Sequence, residues 1–160
     1  MPRQLTHEEI DARLRTAGWH PGRDAGEEAV AALMASAVGQ LQSHEYEADP
    51  FPAAFSFLQE FAFLDLEFSG DPPTEHLVFE VRFIDAARAE EISELSADLQ
   101  QPLFPVAFEE NDRGMAVMDP LGRFFYIHWS GFYYLGKGRY DVLNNLLTGD
   151  NQGDAAEFYV

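Results

Sequence analysis

The chain of 160 residues contains no cysteine, which excludes disulfides, thiol nucleophiles and thiolate metal sites. It has no apolar run approaching the ~18 residues that a membrane-spanning helix needs. Residues 1–8 also do not form the apolar run of a signal peptide. We therefore expect a cytoplasmic location. Positive charge is scarce too, because 28 Asp and Glu residues stand against only 10 Lys and Arg residues.

The resulting net charge of −18 at pH 7 argues against direct binding of DNA or RNA, since contacts to phosphate dominate the affinity of nucleic-acid readers. The acidic side chains are spread over both halves of the chain. A surface of this charge keeps a protein soluble, and it also speeds the encounter with a basic protein partner. Charge alone leaves both interpretations open.

The hydrophobic content of 46%, with 14 phenylalanines, is high enough for one domain with its own core. Apolar residues recur at helical spacing in the first third of the chain and then alternate as in strands. This pattern predicts helices over 7–17, 86–99 and 140–147, and two further helices that begin at 27 and at 52. It predicts strands over 64–68, 77–83, 103–108, 115–118, 124–129 and 132–135. It predicts an α+β domain in which N-terminal helices precede a mostly antiparallel, meandering mixed sheet packed against helices. We assign the domain to residues 1–149 and expect 150–160 to be a mobile acidic tail.

Motifs for catalysis, metals or cofactors are not recognisable. The five histidines form no His-x-x-x-His pair, and no serine lies in a Gly-x-Ser-x-Gly elbow. Residues 136–139, Gly-Lys-Gly-Arg, lack the third glycine of a dinucleotide fingerprint, so we interpret them as a loop with a tight turn. We expect no catalytic residues, no metal site and no cofactor.

A carboxylate pair is the one arrangement that leaves hydrolysis open. Asp65, Glu67 and Glu80 fall on the polar faces of two neighbouring predicted strands, and paired carboxylates can cleave glycosidic bonds. Such catalysis also needs a deep cleft and one acid with a raised pKa, neither of which the sequence indicates. Ordinary solvated acids are therefore the favoured interpretation.

The most distinctive segment is 14–23, Leu-Arg-Thr-Ala-Gly-Trp-His-Pro-Gly-Arg. If Gly18 is the left-handed residue that ends helix 7–17, Trp19 and Leu14 become the pair that a Schellman cap brings into contact. The Pro21–Gly22 turn then stops the helix and places Arg23. We expect Arg23 to tie this turn to a nearby carboxylate rather than to contact a partner.

This segment resembles the N-terminal signature of the SUKH superfamily, and most closely its SUKH-3 group of bacterial immunity proteins. Gly18, Trp19, Pro21, Gly22 and Arg23 are the signature residues, and we interpret them as mainly structural. Further along, the resemblance includes the Phe-rich helix 55–61, the strand at 105–106, the Asp-Pro-Leu-Gly-Arg turn at 119–123 and the Trp-Ser-Gly step at 129–131. The chain departs from the family at 62–63, where Ala and Phe replace the usual glycines.

The tryptophans of these motifs, Trp19 and Trp129, are each flanked by turn residues. We therefore expect both indoles to pack against the protein itself rather than to form a surface on which a ligand stacks.

The resemblance implies an α+β fold and a protein that is not an enzyme but binds and neutralises a toxin domain. Such toxins are often nucleases or other nucleic-acid-modifying enzymes with basic clefts, in which carboxylates can take the place of phosphates. We predict Glu109, Glu110, Asp112 and Asp119, which bracket a predicted hairpin, as the partner-binding residues. The simpler interpretation is an acidic hairpin edge that discourages aggregation. A regulatory or scaffold module that binds an endogenous protein is the alternative function, and a carboxylate hydrolase the third.

Overall fold

The computed structural model describes residues 4–69, 73–111, 113–149 and 153–160 and confirms the α+β class. Its helices are α1 His7–Thr16, α2 Glu27–Gln42, α3 Pro52–Phe61, α4 Ala86–Leu99 and α5 Gly138–Thr148, with a 3-10 helix at Ala155–Phe158. Its strands are β1 Asp65–Phe68, β2 Glu75–Val78, β3 Phe104–Glu109, β4 Met115–Met118, β5 Arg123–His128 and β6 Gly131–Lys137. Within the described residues, no helix combines the length and the apolar character needed to cross a bilayer.

The six strands form one sheet in the order β1 to β6, and each described neighbouring pair is antiparallel. The predicted meander is confirmed, whereas no parallel pair makes the described sheet mixed. Because the chain direction alternates, β1, β3 and β5 finish at the end of the sheet where β2, β4 and β6 begin. We call this end of the sheet the hairpin end. Its strand-terminal residues are Phe68, Glu75, Glu109, Met115, His128 and Gly131.

Helices cover both faces of the sheet. The ring of Phe124 lies 4.9 Å from that of Phe57 in α3, and the ring of Phe125 lies 6.0 Å from that of Phe158 in the 3-10 helix. Successive strand residues point to opposite faces, so α3 and the 3-10 helix lie on opposite sides of the sheet. Strand β4 is accordingly buried at every position, which explains its unbroken apolar sequence Met-Ala-Val-Met.

The predicted strand 77–83 is wrong beyond residue 78. The N–H of Phe79 still donates to the carbonyl of Leu64, and its carbonyl accepts from the N–H of Phe63. The chain then leaves the sheet to reach α4, whose N-cap Asp85 accepts from the N–H of Arg88 at 2.8 Å. Phe83, expected on the buried face of a strand, is 82% exposed as a result.

The prediction of a mobile tail is wrong for residues 153–160. The N–H of Tyr134 in β6 donates to the carbonyl of Gly153 at 3.0 Å, and Ala155 is completely buried. The ring of Phe158 packs 4.1 Å from that of Tyr134. These apolar side chains bury surface against the sheet, which an acidic tail in solvent would leave exposed. Residues 150–152 lie outside the described part of the chain.

Candidate functional site

The signature segment forms the predicted helix stop. The N–H of Trp19 donates to the carbonyl of Leu14 at 2.9 Å, and the N–H of Gly18 donates to the carbonyl of Arg15 at 3.0 Å. These are the two hydrogen bonds of a Schellman motif, and Gly18 has the positive φ of 110° that the motif requires. The indole of Trp19 is buried as expected.

The carboxylate of Glu60, near the end of α3, joins three parts of the chain. It accepts from the indole Nε1 of Trp19 at 2.9 Å. The guanidinium of Arg139 donates to both of its oxygens, at 2.7 and 3.2 Å, and lies 5.3 Å from the centre of the Trp19 ring. This fork geometry fixes α5 and the turn after α1 to α3.

Arg23 donates to backbone carbonyls instead of the carboxylate that we expected. Its Nη1 and Nη2 lie 2.5 and 2.8 Å from the carbonyl oxygens of Glu60 and Ala62, so it caps the C-terminal end of α3. Burial lowers the pKa of the Arg23 guanidinium, and the negative charge of Glu60 raises it. Arg23 thus holds the turn after α3, where Phe63 has a positive φ of 71°.

Sequence analysis missed Glu60 and Arg139. We interpreted 136–139 as a loop, but β6 continues through Lys137 and α5 begins directly at Gly138, which places Arg139 in the first turn of α5. An acid and a base 79 residues apart carry no local signal of pairing. Only the strand-to-helix transition at 137–138 could have indicated a fixed position for this side chain.

The structure does not bring the four predicted partner-binding carboxylates together. Asp119 is fully buried in the turn between β4 and β5, at the end of the sheet opposite the hairpin end. Its Oδ1 accepts from the N–H groups of Leu121 and Arg123, both at 3.0 Å, and its Oδ2 accepts from Arg123 Nε at 2.7 Å. Because these groups occupy its carboxylate, Asp119 is not displayed to a partner as predicted.

Glu109 and Glu110 do lie at the hairpin end. Glu109 is only 7% exposed, and the hydroxyl of Tyr126 donates to its Oε2 at 2.8 Å. Glu110 is half-buried and forms an ion pair with Arg82. Asp112 lies outside the described residues. Glu109 is therefore a buried strand residue rather than an exposed loop carboxylate.

Two of the three carboxylates considered for hydrolysis, Asp65 and Glu80, are engaged in surface ion pairs. Asp65 lies 2.9 Å from Nδ1 of His76, and Glu80 lies 3.1 Å from Nε of Arg82. The hydrogen bond to Asp65 raises the pKa of His76, with further contributions from Asp65, Glu67 and Glu110. Within the ranges that the structure describes, no group of three acidic or histidine side chains has the geometry to hold a metal ion.

A depression with a volume of about 320 Å³ opens at the hairpin end, between the sheet and α5. We call it the hairpin-end pocket. The polar residues that line it are Ser69, Glu75, Glu109, Tyr126, His128, Ser130, Asn145 and Thr148. Oε2 of Glu75 is buried and has no hydrogen-bond partner. This pocket is the one place in the described structure where a buried side-chain oxygen is left unsatisfied.

Trp129 lies beside this pocket and is 82% exposed, so the prediction that it packs against the protein is wrong. It occupies the turn between β5 and β6. There Ser130 Oγ lies 2.7 Å from Nδ1 of His128 and 2.8 Å from the hydroxyl of Tyr133. These bonds tie the turn to its own strands, and the Trp129 ring lies 5.1 Å from the imidazole of His128 with most of its surface exposed.

A family model described as SUKH-3 immunity protein matches residues 6–149. The chain belongs to the SUKH-3 immunity protein family. No curated protein and no solved structure is significantly similar to the chain. The SUKH-3 match spans every element from α1 to α5, and so contains the Glu60–Arg139 pair, the hairpin-end pocket and Trp129. The 3-10 helix that packs against β6 lies beyond it.

Proposed function

We propose that this SUKH-3 protein is an immunity protein that binds the toxin domain of a bacterial polymorphic toxin and neutralises it by contact alone. The observation that carries the proposal is the family match over residues 6–149. Protection in this mechanism comes from occupying the toxin's working surface, so the immunity protein needs no catalytic group of its own. The complex forms in the cytoplasm of the cell that makes both proteins.

Charge supports a basic toxin, such as a nuclease or another nucleic-acid-modifying enzyme. The net charge of −18 attracts a positive surface over a distance and raises the rate of encounter. A cleft that binds nucleic acid is lined by groups that accept phosphates, and carboxylates can occupy the same positions. Glu110 and Asp112, which belong to the connection between β3 and β4, are the loop carboxylates that we propose for this role.

Co-expression tests the function directly. The probe is the C-terminal domain of the protein encoded immediately upstream of this chain's gene, expressed from an inducible promoter with and without the chain. We expect cells to survive only when both are made, and the two proteins to copurify. Death of the cells despite abundant folded chain, with no copurification, would refute the proposal.

Two further measurements separate binding from catalysis. A triple variant, Asp65→Asn with Glu67→Gln and Glu80→Gln, removes the carboxylates of the hydrolase alternative, and we expect it to protect cells as the unaltered chain does. If this variant bound the toxin normally but no longer protected, the contact mechanism would be wrong. Raising salt should slow association more than it changes dissociation, because screening acts on the long-range attraction.

A further inference from the structure

The hairpin-end pocket holds two carboxylates on one face of the sheet. Leu77 of β2 is paired with Glu109 of β3, and Glu75 lies two residues before Leu77, so all three side chains point to the same face. Glu75 and Glu109 are therefore diagonal neighbours across the two strands, at a Cβ separation of roughly 7 Å. Their charges converge on the same small volume.

The two carboxylates differ in how they are satisfied. Glu109 accepts from the hydroxyl of Tyr126, whereas Oε2 of Glu75 is buried without any partner. A buried carboxylate oxygen without a donor is unfavourable, and native proteins nearly always satisfy such groups. The structure therefore leaves a position in this pocket for a hydrogen-bond donor from another molecule.

Three other polar side chains of the pocket, Asn145, Thr148 and Ser130, form hydrogen bonds within the protein. Asn145 donates from Nδ2 to the carbonyl of Leu135 at 2.7 Å, Thr148 donates to the carbonyl of Asn144 at 2.6 Å, and Ser130 pairs with His128. Glu75 and Glu109 therefore give the pocket negative charge, and Oε2 of Glu75 remains an acceptor without a donor. Guanidinium and ammonium groups donate hydrogen bonds, accept none and carry the positive charge that a carboxylate attracts.

Trp129 stands at the edge of the same pocket, next in the chain to the pocket residue His128. Its ring lies 5.1 Å from the imidazole of His128 and is otherwise directed to solvent. Tryptophan is the residue most enriched among those that dominate binding energy at protein interfaces. An exposed indole beside an acidic pocket can stack on a cationic side chain that enters it.

We infer that the hairpin-end pocket is the toxin-binding site and that it receives an arginine or lysine side chain of the toxin, which Glu75 binds and Trp129 covers. Its volume of about 320 Å³ is at the small end of ligand pockets, which suits one inserted side chain. The identity of the partner rests on the function proposed above. The chemistry of the inserted group rests on the pocket itself.

The variant Glu75→Gln separates this role from a structural one. In the free protein, the substitution removes a charge that has no partner, so we expect the stability to be unchanged or increased. Binding of the upstream-encoded toxin domain should weaken by about 30-fold or more, because the inserted cation loses its counter-charge. Glu90→Gln, an exposed position on α4, is the matched control and should bind as the unaltered chain does. Equal affinities for the two variants would overturn the inference.

Trp129 has its own matched control at the opposite end of the sheet. Leu121 is 57% exposed in the turn between β4 and β5. We expect Trp129→Ala to weaken toxin binding by about 30-fold or more and Leu121→Ala to change it by less than about twofold, with the folded structure of both verified by circular dichroism. Loss of toxin binding in Leu121→Ala alone would place the interface at the end of the sheet that carries the β4–β5 turn, and would refute the assignment of the hairpin-end pocket.

A probe that is independent of the toxin keeps the inference testable if the neighbouring gene product does not bind. Nα-acetyl-L-arginine amide and its neutral counterpart Nα-acetyl-L-citrulline amide differ in charge but hardly in shape. In NMR titrations, we expect the arginine amide to shift the signals of Tyr126 and of the Trp129 indole, the citrulline amide to leave them in place, and Glu75→Gln to abolish the difference. Equal shifts with both amides, or none with either, would overturn the pocket assignment while leaving the proposed function standing. Failure of protection with these shifts present would refute the function and leave the pocket.

Discussion

Replacing Asp119 by alanine tests whether this acidic side chain stabilises the protein or serves a partner. The carboxylate is fully buried and accepts two backbone N–H groups of its turn as well as the Nε of Arg123. The side chain of Arg123 is itself only 16% exposed. Removing the Asp119 carboxylate therefore leaves the largely buried Arg123 cation without its counter-charge and two turn N–H groups without an acceptor.

The expected loss is large for a single substitution. Breaking a buried ion pair by removing one partner costs about 3–5 kcal/mol, and one kcal/mol shifts the Tm of a domain of this size by about 2–4 °C. We expect Asp119→Ala to lower the free energy of unfolding by about 4 kcal/mol and the Tm by roughly 12 °C. Asp119→Asn keeps one acceptor oxygen but loses the charge, so its effect should be about half as large. Urea unfolding and calorimetry at pH 7 measure both.

Glu110→Ala is the matched control, because sequence analysis placed Glu110 and Asp119 in the same group. Glu110 forms a surface pair with Arg82, and such pairs contribute about 0–1 kcal/mol. An unfolding free energy of Asp119→Ala within about 0.5 kcal/mol of the unaltered chain would refute the argument from burial. So would normal stability combined with lost toxin binding, since the Asp119 carboxylate is fully buried and its oxygens are already occupied by the turn and by Arg123.

Two further predictions concern Gly114, which lies beside Tyr126, and the pair formed by Asp65 and His76. A Cβ at Gly114 would lie 2.0 Å from the hydroxyl oxygen of Tyr126 and 2.2 Å from its Cζ, so we expect Gly114→Ala to reduce the free energy of unfolding in urea by about 3 kcal/mol. The same substitution in a Tyr126→Leu background should cost much less. Equal losses in both backgrounds would contradict the steric explanation. Asp65 raises the pKa of His76. The pair therefore stabilises the folded state below about pH 6.5, and this stabilisation is lost as the pH rises through the folded-state pKa of His76. Asp65→Asn should therefore lower the pKa of His76 in an NMR titration, and an unchanged midpoint would show that the pairing is absent in solution.

Local signals in the sequence predicted the parts of the fold that local chemistry determines. Gly18 ends α1 as predicted, and Thr6 and Glu9 form a capping box at the start of the same helix. Both motifs involve residues within six positions of each other. Strands β3, β4 and β5 follow runs of apolar residues whose burial explains their composition. Such features need no knowledge of the remote chain.

The failures involve contacts between distant segments. Glu60 meets Arg139 only after α3 and α5 have been placed, and the apolar residues of 153–160 find a surface that the sheet provides. The burial of Asp119 was more accessible to prediction. Aspartate at the first position of a turn commonly accepts from the backbone N–H groups that follow, so the Asp-Pro-Leu-Gly-Arg sequence at 119–123 already indicated a structural acid.

The contrast between Asp119 and Glu75 shows why total charge cannot locate the binding surface. The net charge of −18 creates a field around the whole protein, which affects the rate of encounter but not where the toxin docks. Asp119 is satisfied within its own turn, so a partner gains nothing by approaching it. Glu75 pays a desolvation cost in the free protein that a bound cation removes, and this difference between free and bound states favours partners with a donor at that position. For this acidic protein, we therefore expect the unsatisfied carboxylate of Glu75 to locate the docking surface better than the density of acidic residues does.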